Sequence, residues 1–177
     1  MGMISSDAAS IEYALTMEPQ SRAVAIVPGG AEESLDSHSY NYDLTLKERK
    51  GFVKLAIKTG ASLVPVYQFG ETGTYHQIPN ERGSFVRRVQ QTIKNATGIS
   101  PIIVSGAGFF NNYFGIIPKK VKITTVVGAP IHITKNPNPT KEEITHVHDR
   151  YVAALVNLFE DNKKKYRVPE QAQLRIL

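Results

Sequence analysis

The 177-residue sequence contains no cysteine, which excludes disulfides, thiolate nucleophiles and cysteine-based zinc sites. A reducing, cytosol-facing compartment is the natural reading of that absence. No apolar run approaches the roughly 18 to 20 residues a bilayer-spanning helix requires. The amino terminus also lacks a basic region followed by an apolar stretch. The expectation is a chain that by itself neither spans a membrane nor carries a signal peptide. There is no internal repeat, no low-complexity tract and no Gly-x-Ser-x-Gly elbow. Ser105-Gly106-Ala107-Gly108 lacks the third glycine of a dinucleotide fingerprint. Basic residues are not interleaved with aromatics in a recognisable DNA- or RNA-binding pattern, so no nucleic-acid partner is expected.

What is present fits a globular chain with a sizeable core, 41% of it hydrophobic. A net charge of +5 and a pI near 9.4 favour anionic partners: phosphates, coenzyme A or acidic lipid surfaces. Ser5-Ser6-Asp7 caps a helix carrying Ile11, Ala14 and Leu15, which runs down before Pro19. Residues 23–27 read as a short buried strand, and residues 38–43 as an exposed connection containing Tyr40 and Tyr42. The most informative segment is residues 49–71. A helix with Phe52, Leu55 and Ala56 on one face and Arg49, Lys50, Lys54 and Lys58 around the rest stops at Gly60. The apolar strand at residues 63–67 follows, with Gly70-Glu71 at its carboxyl end.

Residues 72–82 read as a loop, and Ser84 caps a second amphipathic helix with Phe85 or Val86, Val89 and Ile93 inward and Arg87, Arg88 and Lys94 outward. Strands are expected at residues 101–105 and 122–127, separated by an unusually aromatic loop at residues 109–115. Thr140-Lys141-Glu142-Glu143 is a capping box, opening a helix with Ile144, Val147, Tyr151, Ala154, Leu155 and Leu158 inward that ends at Lys163-Lys164-Lys165. Strands alternating with helices predict an α/β fold, a single domain over residues 1–177 with a mostly parallel central sheet and flanking helices.

Glu32 and Glu33 follow a strand and two glycines, where the backbone of Gly29 and Gly30 approaches a ligand and a carboxylate orients a hydroxyl or assists a general base. A solvated turn is the alternative. Arg49 and Lys50, with Lys54 and Lys58, suit phosphates or an anionic membrane surface, or form a solvated helix face. Glu71 is a site residue or a loop charge. His38 and Asp43 spell His-x-x-x-x-Asp, the catalytic spacing of glycerolipid acyltransferases, displaced behind the Gly-Gly-acidic block. His146 and His148 are two residues apart on a helix, so a shared metal is not expected; His76 and His132 have no sequence partner. Met1-Gly2-Met3-Ile4-Ser5-Ser6 formally fits a myristoylation signal, and Asn95-Ala96-Thr97 is a formal glycosylation sequon.

Six ordered blocks together resemble the C-terminal half of the type-2 diacylglycerol acyltransferase family, which includes the monoacylglycerol and wax-alcohol acyltransferases. They are Ser10-Ile11-Glu12-Tyr13, Gly29-Gly30-Ala31-Glu32-Glu33-Ser34, Arg49-Lys50-Gly51-Phe52-Val53-Lys54-Leu55-Ala56, Leu63-Val64-Pro65-Val66-Tyr67, Phe69-Gly70-Glu71 and Thr124-Thr125-Val126-Val127-Gly128-Ala129-Pro130-Ile131. The resemblance implies a glycerolipid-acyltransferase-like fold, incomplete at its N-terminus. It implies transfer of a fatty acyl group from acyl-coenzyme A to the hydroxyl of mono- or diacylglycerol, with no cofactor beyond acyl-coenzyme A as co-substrate. It also implies a cytosol-facing site on the endoplasmic reticulum or lipid droplet. By resemblance Glu33 matches the family's acidic residue in its block, and Arg49 and Lys50 its basic pair. The family's catalytic His-Pro-His-Gly motif and hydrophobic membrane segment are not in this sequence. A non-catalytic lipid- or acyl-coenzyme A-binding module is therefore the rival expectation.

Overall fold

The computed structural model describes residues 2–17, 23–38, 41–81, 83–98, 101–107, 115 and 117–177. Pro19, Tyr40, Gly108 and the aromatic residues 109–114 lie outside the described residues. Helix α1 (Ala8–Thr16) starts where expected, with the Asp7 carboxylate accepting the Ser10 N–H at 2.8 Å. Residues 23–27 form no strand, and Ile26 and Val27 are exposed. The acidic block expected as a loop is instead a short helix, α2 (Gly30–Asp36), which buries Leu35 completely.

Helix α3 (Gly51–Thr59) ends at Gly60, whose φ of +77° closes a left-handed cap with its N–H on the Ala56 carbonyl. Its deepest residues are Val53, Ala56 and Ile57, one step round from the expected face, with Phe52 and Leu55 at the margin. Helix α5 (Lys141–Lys163) opens on the expected cap, Thr140 accepting the Glu143 N–H at 3.1 Å. It buries Val147, His148, Tyr151, Leu155 and Phe159. Phe159 is fully buried and packs on Tyr42, Tyr67 and Phe69 with ring centroids 5.2 to 5.8 Å apart. Val53, Ile57 and Val147 form a second cluster where α3 meets α5. Among the described residues no helix is long and apolar enough to cross a membrane.

The sheet departs from expectation. Among the described residues, strands pair in twos, and the longest pair is antiparallel: β2 (Val66–Phe69) runs against β5 (Thr124–Val127), with Val66 opposite Val127 and Phe69 opposite Thr124. Strand β3 (His76–Gln77), expected as loop, pairs antiparallel with β4 (Val104–Ser105). The parallel pair is β1 (Asp43–Leu44) with β6 (Arg175–Ile176), at the two ends of the sequence. The fold is thus mixed α/β. Strands of two to four residues carry too few alternations for sequence periodicity to fix their direction.

Helix α4 (Phe85–Thr97) begins on the expected Ser84 cap, but its rotation is reversed. Arg87 and Gln90 are buried, whereas Phe85, Val89 and Ile93 are exposed. The physical cause lies on α2. Arg87 pairs with Asp36 at 2.9 Å and Glu32 at 3.4 Å, and Lys94 pairs with Glu32. Gln90 bonds Asn80 and the Pro101 carbonyl. Buried cations held by carboxylates outweigh the apolar stripe, because leaving such charges unpaired in the interior is more costly than wetting three apolar side chains.

Candidate functional site

Glu32 and Glu33 part company on α2. Glu32 is consumed by α4, and its carboxyl is held below the usual range by the Lys94 hydrogen bond first, with the charges of Lys94 and Arg87 adding to it against burial. Glu33 turns the other way, half-buried, and one of its carboxylate oxygens accepts the Thr45 N–H at 3.0 Å. Burial pushes the Glu33 carboxyl above its ordinary value; the Glu71 charge pushes the same way, while the Thr45 N–H and Arg49 oppose.

Gly29 explains why Glu33 can sit there. It is buried at the start of α2, and a Cβ built on it would overlap the Glu33 carboxylate. Gly30 is needed for a different reason, its φ of +58° in the left-handed region. Gly29→Ala should displace the carboxylate from the Thr45 amide. The expected loss is about 1 to 3 kcal/mol of unfolding free energy, read by urea titration, because the buried acceptor and donor are then unpaired.

Glu71 begins a 3₁₀ turn (Glu71–Gly73) after β2, reached through Gly70 at φ +91°. An added Cβ at Gly70 would strike the Lys122 carbonyl, so the corner depends on glycine. Arg49 is exposed on the turn before α3, its N–H on the Leu46 carbonyl at 3.0 Å. Three of the residues singled out from sequence, Glu33, Arg49 and Glu71, therefore share one electrostatic neighbourhood. Lys50 does not join them; its ammonium donates to the Thr145 hydroxyl on α5 at 3.2 Å.

Two contributors went unnoticed in the sequence. Tyr67 is largely buried and its phenol is pushed up, by burial first and then by Tyr42, Glu71 and Glu33, so it stays a neutral O–H donor beside the carboxylates. Its signal was its place in the strand before Gly70-Glu71. The second is a scaffold. Buried His148 bonds the Leu46 carbonyl at 3.0 Å, and the Leu177 carbonyl accepts the N–H groups of Leu46 and Lys47, which together hold the turn carrying Thr45 and Arg49.

The His38 and Asp43 spacing does not become an acid-oriented base. Both line a cleft of about 470 Å³, but His38 Nε2 bonds the Asn80 side-chain oxygen at 2.9 Å, and Asp43 is held by Arg175 at 2.5 and 2.7 Å. His146 is exposed while His148 is buried, so they point apart as helical spacing requires. His132 pairs with Ser62 at 3.2 Å.

The Diacylglycerol acyltransferase family model matches residues 1–177 of the chain. The chain belongs to the diacylglycerol acyltransferase family. It is 51% identical over 154 residues to Diacylglycerol O-acyltransferase 2 of Dictyostelium discoideum, covering 87% of this chain and 47% of that protein. It is 40% identical over 173 residues to 2-acylglycerol O-acyltransferase 1 of Mus musculus, covering 98% of this chain and 52% of that one. Against Diacylglycerol O-acyltransferase 2 of Homo sapiens it is 44% identical over 168 residues, covering 94% and 43%. The chain thus spans about half the length of these relatives. No solved structure matches it.

Proposed function

We propose that this chain acts as an O-acyltransferase of neutral-lipid synthesis and that the residues described above bind and orient its substrates. Its donor is acyl-coenzyme A and its acceptor the hydroxyl of diacylglycerol or monoacylglycerol. In that reaction the acceptor oxygen attacks the thioester carbonyl, its proton passes to a base, and coenzyme A leaves as the thiol. The observation that carries the reading is the half-buried Glu33 carboxylate, seated on Gly29 and fixed by the Thr45 amide, in a chain of this family. A carboxylate so fixed orients the acceptor hydroxyl or the base that deprotonates it. The exposed Arg49 guanidinium supplies positive charge for coenzyme A phosphates, and Lys50 would add to it on leaving the Thr145 hydroxyl. Gly30, open around its Cα, lets the backbone approach the substrate while Gly29 seats Glu33, and Glu71 closes the acidic side.

Residues 1–177 are read as one domain, in which the antiparallel β2 and β5 pair would join the edge of a mostly parallel sheet. Lipid acceptors place the reaction at a cytosol-facing surface of the endoplasmic reticulum or a lipid droplet.

A rival reading, a module that binds acyl-coenzyme A or lipid without turnover, draws on the engagement of His38 and His148. His38 is bonded to Asn80 and His148 to the Leu46 carbonyl, so neither is offered to an acceptor hydroxyl. Saturable oleoyl-coenzyme A binding in calorimetry, together with absent transfer to diacylglycerol, would favour that module over the transferase.

A further inference from the structure

Helix α4 is built with its apolar face outward. At about 100° per residue, Phe85, Val89 and Ile93 fall on one side and Arg87, Gln90 and Lys94 on the other. The polar side faces the protein, with Arg87 and Lys94 locked to Glu32 and Asp36. Phe85 is 81% exposed, Val89 43% and Ile93 40%. Rotating the helix to bury them would break those ion pairs and strand the cations, so the apolar side is held out as part of the fold.

We propose that this face docks on a lipid surface, with α4 lying in the plane of the interface and Phe85, Val89 and Ile93 entering the boundary between head groups and acyl chains. Three features select lipid over a protein partner. The sequence of α4, FVRRVQQTIKNAT, contains no acidic residue, and exposed Arg88 flanks the stripe, where it suits anionic head groups. The chain as a whole carries +5. A three-residue stripe on a helix about 20 Å long is also small against the surface a stable dimer needs, whereas a fluid interface accommodates any apolar relief. The inference deepens the proposed membrane-surface location by naming the contacting element, and it rests on that reading only for the presence of a lipid surface.

The sequence has no tryptophan, so Phe85→Trp makes α4 its own reporter in the full chain. With vesicles of phosphatidylcholine containing phosphatidylserine, the expected result is a blue shift of its emission and quenching by lipids brominated near the head-group end of the acyl chain. Val89→Glu combined with Ile93→Glu should weaken vesicle partition by about tenfold or more, with unchanged circular dichroism and melting because both positions are exposed. Unaltered partition of the double variant, or failure of the unmodified chain to bind these vesicles, overturns the proposal. So does a lipid-free dimer, seen by light scattering, that the double variant makes monomeric, since the face would then belong to a second copy. Acyl transfer is scored separately on detergent-dispersed diacylglycerol. Lost transfer with intact vesicle binding counts against the transferase reading alone, and lost vesicle binding with intact transfer against the docking face alone.

Discussion

Glu33→Gln is expected to lower oleoyl transfer from oleoyl-coenzyme A to diacylglycerol by about a hundredfold or more. Glutamine keeps a side-chain oxygen to accept the Thr45 N–H, which Glu33 now receives at 3.0 Å. The substitution therefore removes charge and basicity while conserving shape. Its effect on stability has the opposite sign. Burial and Glu71 raise the folded carboxyl above its ordinary 4.5. Such a group favours the folded state below the ordinary value, and that contribution is lost as pH rises through the raised one. A neutral amide carries no such loss, so at pH 7 the variant should melt slightly higher than the unmodified chain while working far more slowly. The acid limb of the activity profile, set in the unmodified chain by protonation of Glu33 at its raised value, should disappear in the residual activity of the variant. Lower stability with a similar pH profile would mark Glu33 as scaffold only.

Phe159→Ala is expected to cost about 3 to 5 kcal/mol of folding stability, a large part of the roughly 5 to 15 kcal/mol typical of a domain. Phe159 is fully buried, and its ring meets Tyr67 and Phe69 on β2 and Tyr42 just before β1. Removing it leaves a cavity bounded by stiff aromatic rings, which close poorly around lost volume. Urea unfolding reads the loss directly. Leu158→Ala, one position away and only partly buried, should cost markedly less. Equal costs at 158 and 159 would mean that the core does not sit where the aromatic cluster places it.

These two positions also show what the sequence made legible. The capping box at Thr140 and the stop at Gly60 are local chemistry, and both helices begin and end accordingly. Glu33, Arg49 and Glu71 were marked by their own blocks, and the fold brings them into one neighbourhood. The periodic stripe of α5 runs through Leu158, whereas the structure buries Phe159, a one-position phase difference that only the partner surface settles. Hydrophobic periodicity turns α4 with its apolar side inward because it takes no account of Glu32 and Asp36, some fifty residues earlier in the chain. The same nonlocality hid the pairing of Asp43 with Arg175, and with it the parallel union of β1 and β6 that supports the Thr45 turn. Strands alternating with helices suggest parallel crossovers, and the antiparallel register of β2 against β5 is a pairing that no local pattern announces.

The most direct test of the central claim is radiolabelled oleoyl transfer in cells that lack their own triacylglycerol synthesis and express this protein, with the Glu33→Gln form alongside. Labelled triacylglycerol that saturates with diacylglycerol and falls about a hundredfold in the variant is the expected result. Absence of labelled product at equal protein abundance, with oleoyl-coenzyme A still binding saturably, would contradict it.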